Sequence, residues 1–345
     1  MRSSKLLAPV AALATLGALA TPACATEKPS GQCSPAASLL GFSDALDKTE
    51  LNGTAIAGLS ALAMTGHGRA VAVVDNIGTT PARIYDLSLR RGGVLKPAAR
   101  KVTTLTRPDG TPYTGADFDG EGLVVERGGQ TILASSETEP SIRRFRRSDG
   151  RQTAELPVPE RFRVAPAGQA TRNQTFESLA ATSDGRTVYA GMEGPLNGEA
   201  FQRIIRYEGH AGGRYVPVAQ YAYKTDPTLS LAELIALRDG GLLAMERGFT
   251  PGVGNTVRIY RTSTNGARDV TNTPAPALKK ELLVDIATCP PSGATAKQPQ
   301  PNPLLDNIEG MALDGRILYL ISDDNGSATQ ITRVYALAIR ASRGA

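Results

Sequence analysis

A short acidic pattern recurs four times along this chain with the same internal order. It reads Asp119-Gly120-Glu121-Gly122-Leu123, Thr175-Phe176-Glu177-Ser178-Leu179, Ser230-Leu231-Ala232-Glu233-Leu234 and Asp306-Asn307-Ile308-Glu309-Gly310. Each copy continues into an apolar strand, a turn, and a second strand closed by acid: Ser136-Glu137, Met192-Glu193, Met245-Glu246 and Ser322-Asp323-Asp324. The gap from first to second acid is 16, 16, 13 and 14 residues, and successive first acids stand 56, 56 and 76 residues apart. A weaker copy runs from Gly58-Leu59-Ser60 to Val74-Asp75-Asn76. Repetition on this scale constrains the fold more tightly than composition does.

No stretch sustains a helical apolar period. Short runs rich in Val, Ile, Leu and Tyr are instead broken by Gly, Pro and Asp-Gly turns, which is the pattern of an all-β chain. Units of about 50 residues holding about four short strands are propeller blades. The sequence therefore predicts a single β-propeller of antiparallel blades, with a sandwich or two β-domains as alternatives. Dividing the length from residue 26 onward by the blade size predicts about six blades. Segments 271–276 and 290–303 read as loops between strands.

Within a meander the first strand leaves one face of the disc and the second returns to it. The two acids of each copy then share a face, with Glu121, Glu177, Glu233 and Glu309 near the central channel and Glu137, Glu193, Glu246 and Asp323 one strand further out. Carboxylates gathered so closely raise one another's pKa unless something neutralises them. A hard cation such as Ca²⁺, which takes six to eight oxygen ligands, is one remedy. Its expected ligands are Glu121, Glu177, Glu193 and Glu309 with Asp323 or Asp324, and Asn173, Asn307, Asn325, Asp75 and Asn76 are at hand to complete a shell. Arginine is the other remedy, and Arg247, Arg143, Arg144 and Arg172 stand near the motifs. Alternatively, each Glu accepts backbone N–H bonds and fixes an inter-blade turn. Glu137, Glu246, Asn173 and Asn307, with Arg247 and Arg143, are expected to face a substrate.

Other chemistries lack support. There is no G-x-S-x-G, no H-E-x-x-H and no Cys-x-x-Cys, and the two histidines, His67 and His210, lie in Gly-rich turns. With a formal net charge of +5, no Trp and no basic cluster interleaved with aromatics, nucleic acid is not an expected partner.

In these motifs the chain resembles the phytase-like propeller family described as having esterase-like activity of phytase. The matching residues run through Asp119-Gly120-Glu121-Gly122, Ser135-Ser136-Glu137, Phe176-Glu177-Ser178, Gly191-Met192-Glu193, Met245-Glu246-Arg247 and Asn307-Ile308-Glu309-Gly310 to Ser322-Asp323-Asp324-Asn325. The resemblance implies a secreted or periplasmic propeller that hydrolyses phosphoesters with bridging Ca²⁺ and a basic surround for phosphate. The basic partners here are fewer than phytate requires. Three functions follow as expectations: a Ca²⁺-dependent phosphoester hydrolase acting on a small phosphorylated molecule, a non-catalytic ligand- or envelope-binding propeller, and a Ca²⁺-dependent lactonase or esterase.

At the N-terminus, Arg2 and Lys5 precede an apolar run from Leu6 to Ala20 and a small-residue site at Ala23-Cys24-Ala25. This layout predicts a signal peptide over 1–25, with acylation at Cys24 as a lesser alternative. An N-terminal arm (26–55), the propeller (56–340) and a short tail (341–345) follow. No later apolar run approaches the length of a membrane span, and a monomer is expected. Cleavage leaves Cys33 and Cys289, which read as one disulfide in an exported chain, with two free thiols as the alternative.

Overall fold

The computed structural model describes residues 31–75, 78–91 and 93–340. The predicted signal peptide, Cys24, Asn76 and the tail lie outside them. Two strands open the chain, β1 (Gln32–Ser34) and β2 (Ala37–Ser43), followed by a small hairpin of β3 (Glu50–Leu51) and β4 (Thr54–Ala55). Blade 1 is β5 (Leu59–Gly66), β6 (Arg69–Val74), β7 (Arg83–Arg91) and β8 (Val94–Thr104). Blade 2 is β9 (Gly120–Val125), β10 (Thr131–Ser136), β11 (Ser141–Arg146) and β12 (Gln152–Glu155). Blade 3 is β13 (Phe176–Ala181), β14 (Thr187–Met192), β15 (Gln202–Glu208) and β16 (Val216–Tyr223). Blade 4 is β17 (Ser230–Ala236), β18 (Gly241–Thr250), β19 (Gly254–Ser263) and β20 (Lys280–Asp285). Blade 5 is β21 (Ile308–Asp314), β22 (Ile317–Ser322) and β23 (Val334–Ile339), completed by β2 and β1 from the other end of the chain.

The single all-β propeller holds, and the predicted six blades are corrected to five. The division by length failed for two reasons. The N-terminal strands add no blade of their own but finish the last one, β2 pairing with β23 from Ala37↔Ile339 to Ser43↔Val334. Long connections such as 105–119, 157–175 and 286–307 carry little or no strand structure, so a blade consumes more chain than its strands need.

Five hydrophobic cores sit in the five gaps between blades. Val71 and Ile84 pack on Leu123 and Ile132 between blades 1 and 2, and Leu133 on Phe176 and Val188 between blades 2 and 3. Tyr221 and Tyr223 meet Leu231 and Leu242 between blades 3 and 4. Met245 and Ile259 meet Met311 and Leu318 between blades 4 and 5, and Tyr319 and Ile321 meet Leu62 and Tyr85 between blades 5 and 1. Each blade thus has both faces covered, which explains strands that are apolar on successive residues. A Cys33–Cys289 disulfide ties β1 to the loop beyond blade 4 across 256 residues of sequence. His67 and His210 are both exposed, in turns.

Because the disulfide spans most of the chain, its removal relaxes the unfolded state more than the folded one. Cys33→Ser with Cys289→Ser is expected to lower stability by roughly 2–5 kcal/mol, read from the shift in urea midpoint under non-reducing conditions.

Candidate functional site

Every inner strand carries a β-bulge near the same end. Register shifts fall between Leu59 and Ala61, Phe176 and Ser178, Leu231 and Glu233, and Ile308 and Gly310, and Glu121-Gly122 together oppose Ser135. A bulge re-aims side chains locally. Superposing the five registers gives an inner ring of Ser60, Glu121, Glu177, Ala232 and Glu309. The residue closing each second strand gives an outer ring of Asp75, Glu137, Glu193, Arg247 and Asp323. The backbone repeats with it: Asp75, Glu137, Glu193 and Asp323 each donate an N–H to the carbonyl of Gly58, Asp119, Thr175 and Asn307, respectively.

The outer ring, the three glutamates of the inner ring and Asp119 line one cavity of about 530 Å³ at the channel mouth, with Asn173, Asn255 and Phe249 on its walls. Glu177, Glu309, Glu137, Asp119 and Asp323 are buried, while Glu121 and Glu193 are partly exposed. Carboxylate oxygens of Asp119, Glu121 and Glu137 all lie within 4.8 Å of one another, and so do those of Glu137, Glu177 and Glu193. Glu137 belongs to both groups. The Ser60 hydroxyl bridges Glu121 and Glu309, 3.1 Å from the latter.

Blade 4 departs from the pattern. The bulge places Ala232, not Glu233, on the inner ring, and Arg247, not Glu246, on the outer one. Arg247 sets Nη2 2.8 Å from Glu309 and 3.9 Å from Glu177, and its Nη1 donates to Asn307 Oδ1 at 2.9 Å. Asn307 Nδ2 in turn donates to Glu309 at 3.0 Å. Glu233 points into the axis below the mouth. There Ala61, Gly122, Ser178 and Gly310 hold the equivalent place, and a Cβ on Gly122 would stand 2.6 Å from Leu179 N. The Glu233 carboxylate fills the space these small residues leave and accepts backbone N–H bonds from Leu234, Leu179 and Met311. For this Glu the strut reading describes the geometry.

Three further residues of the predicted set stand away from the cavity. Glu246 accepts from Tyr223 Oη at 2.7 Å, Asp226 N at 2.8 Å and Lys280 Nζ at 2.5 Å. Arg143 lies 5.0 Å from the Tyr113 ring centre and pairs with Glu139 and Glu155. Asp324 turns outward to Lys48 and to the Gly58 N–H at 3.0 Å. Asp119, Phe249 and Asn255 were not singled out as site residues from the sequence. Asp119 carried a signal, its Asp-x-Glu spacing to Glu121. Phe249 and Asn255 arrive on the long β18–β19 hairpin and carried none.

Burial, followed by mutual repulsion, pushes Glu121, Glu177 and Asp323 well above the usual carboxylate range. Asp75 is pushed up to about 8, by burial and then by Glu309 and Asp119, and Glu137 to about 8, by burial and then by Glu193. The donor set is all oxygen, without His or Cys, and Asp75 Oδ1 is buried with no hydrogen-bond partner. Such a set suits a hard cation of the Ca²⁺ kind and not zinc.

The fold and the oxygen-lined mouth define a propeller with an acidic axial site. Residues 54–326 match the phytase-like family described as "esterase-like activity of phytase", and the chain belongs to that family. No curated protein matches the sequence. Among solved structures, a putative glycoside hydrolase from Bacteroides ovatus is 12% identical at a TM-score of 0.48, covering 82% of this chain and 86% of that one. A putative 6-phosphogluconolactonase from Bacteroides uniformis is 13% identical at 0.40, covering 80% and 81%. The Pseudomonas aeruginosa periplasmic gluconolactonase is 12% identical at 0.38, covering 81% and 70%.

The raised carboxyls make stability depend on pH. A group whose folded pKa exceeds its unfolded value contributes stability that is present below the unfolded pKa and lost as pH rises through the folded one. For Asp75 and Glu137 that window runs from their ordinary values of 3.8 and 4.5 to about 8. Cation-free protein is therefore expected to show a falling Tm between pH 5 and pH 8 by calorimetry. Millimolar Ca²⁺ should restore the Tm at pH 8 and change it little at pH 5. A Tm that rises over this range would contradict the assignment.

Proposed function

We propose that this is an exported hydrolase of ester bonds that works through hard divalent cations held in the axial mouth. The observation that carries the reading is the pair of carboxylate groups sharing Glu137. Asp119, Glu121 and Glu137 would hold one cation, and Glu137, Glu177 and Glu193 a second, Ca²⁺ being the ion whose ligand preference fits best. A bound cation of this kind supplies Lewis-acid polarisation of an ester or phosphoryl oxygen.

The chain's own residues supply the rest. Glu309 and Asn307 hold Arg247 in place, so its guanidinium is a fixed positive group beside the carboxylates. That position suits an anionic substrate oxygen, because a planar guanidinium can donate to it through paired N–H groups. Phe249, at 52% exposure on the cavity wall, offers an apolar face to the non-reacting part of a small molecule. Asn173 stands on the same wall.

Phosphoester hydrolysis is the first reading, in keeping with the family description. Hydrolysis of a lactone or carboxylic ester is the second, and one observation favours it. Arg247 is the one cationic side chain lining the mouth among the described residues, and it is already paired with Glu309. That arrangement suits a substrate of low charge better than a polyphosphorylated one. A binding propeller with purely structural ions is the remaining alternative.

Calorimetric titration of chelator-treated protein is expected to show Ca²⁺ binding at two sites. Glu137→Gln should weaken both, by roughly tenfold or more, whereas Glu246→Gln should leave both intact. Aryl phosphate, aryl acetate and lactone substrates then separate the reactions. Turnover that is abolished by chelator and by Glu137→Gln supports the hydrolase. Cation binding without turnover on any of the three supports the binding propeller, and no cation binding at all removes the metal reading.

A further inference from the structure

The opposite end of the channel carries a second regularity. Each inner strand passes into its neighbour through a tight turn on the face away from the acidic mouth. Each of these turns ends in or contains one arginine: Arg69, Arg127, Arg186, Arg238 and Arg316, one per blade. All five are exposed. None forms an ion pair with a described carboxylate.

The acids in these turns have hydrogen-bond or ion-pair partners other than the five guanidinium groups. Asp184 accepts from Thr182 Oγ1 at 2.6 Å and from the Arg186 N–H at 3.0 Å. Asp239 pairs with Arg261. Asp314 takes His67 at 2.7 Å and the Gly68 N–H at 3.0 Å. Glu126 is buried under Arg144, 2.7 Å away. The five guanidinium groups thus stand exposed without a carboxylate in ion-pair contact, although Asp184 feels the charge of Arg186.

Beside these turns the inner strands end in apolar side chains, mixed with Glu126, Arg127, Thr182 and Ser183. Met64, Val125, Ala181, Ile235 and Leu313, the far ends of the five inner strands, line a cavity of about 220 Å³. A neighbouring groove of about 670 Å³ shares Ala181, Ile235 and Leu313 and is edged by Arg238, Arg316 and Arg340 together with Asp239 and Asp314. Nothing in blade packing requires an exposed arginine at the same turn of every blade. A turn of this type closes as well with Lys, Asn or Ser.

We propose that this face docks onto a bilayer surface rich in anionic phospholipid, leaving the acidic mouth turned towards solvent. The charge is complementary, since guanidinium groups bind phosphate oxygens through paired hydrogen bonds. A polybasic surface gains attraction with each arginine brought near an anionic leaflet. The apolar side chains beside the arginines, Ile235, Leu237, Leu283 and Leu313 in the groove edged by Arg238 and Arg316, favour a lipid surface over a wholly polar polyanion, because an amphiphile offers both phosphate and hydrocarbon. The inference stands on the charges and these apolar side chains and does not depend on cation binding or catalysis at the other face.

The test is co-sedimentation of the protein with vesicles of phosphatidylcholine alone and with about a third phosphatidylglycerol, at low salt and at 0.5 M NaCl. Binding is expected to the anionic vesicles only and to weaken at high salt. Arg238→Gln with Arg316→Gln should lower the partition coefficient roughly thirtyfold. A charge-matched control, Arg172→Gln with Lys224→Gln near the mouth, should stay within about twofold of the parent. Circular dichroism confirms that both variants fold. Three results would overturn the proposal: no vesicle binding, vesicle binding equal in the two variants, or retention on heparin beads with none on vesicles.

Discussion

Closure of the ring is the constraint on which everything else in this molecule depends. Five blades bury their faces only against one another, so an open array would leave two apolar sheets exposed. The chain closes itself by bringing β2 to β23 and locking the junction with the Cys33–Cys289 bond. At the axis, Ala61, Gly122, Ser178 and Gly310 let the inner strands converge, and the Glu233 carboxylate fills what remains. Closure then forces the two ends of the channel to become rings of equivalent positions.

At one end that equivalence creates an electrostatic conflict. Eight carboxylates, those of Asp75, Asp119, Glu121, Glu137, Glu177, Glu193, Glu309 and Asp323, face a single guanidinium, Arg247. Like charges at this density cannot all ionise in a partly buried mouth. Protonation, arginine and metal are the available remedies, and the blades differ in which of them their residues allow. Blade 4 gives up its carboxylate pair for Ala232 and Arg247, which meets the charge of Glu309. Blades 2 and 3 keep the carboxylates that converge on Glu137, and there the deficit of positive charge is greatest. Any cation held among these carboxylates would meet only oxygen ligands, which favours a hard ion.

Much of this was legible in the sequence because a propeller writes its symmetry into the chain. The repeated order of acid, strand, turn, strand and acid marks all five blades, including the weak copy that ends at Asp75. It also places the acids on one face. Blade count was misjudged because a strand's contribution to a blade depends on where it pairs, and β2 pairs with the far end of the chain. Blade 4 was misaligned by one residue. Glu233 and Glu246 match their counterparts by type, yet the bulge between Leu231 and Glu233 gives the ring positions to Ala232 and Arg247. Register is a property of hydrogen bonding between strands, and identity of residues does not report it. Arg143 and Asp324 were near the motifs in sequence but are held by partners outside the mouth. The arginine of each turn was also present in the sequence, but that the five share one face of the disc follows only from the strand order.

The central claim, that Glu137 is shared by two cation sites, is tested most directly by anomalous diffraction. Crystals of the protein grown with calcium and exchanged into a lanthanide should show two anomalous peaks flanking Glu137. One should be bounded by Asp119 and Glu121, the other by Glu177 and Glu193. Two such peaks in the parent and none in Glu137→Gln are what the account predicts. A mouth without anomalous density, or a single peak bound away from Glu137, would contradict it.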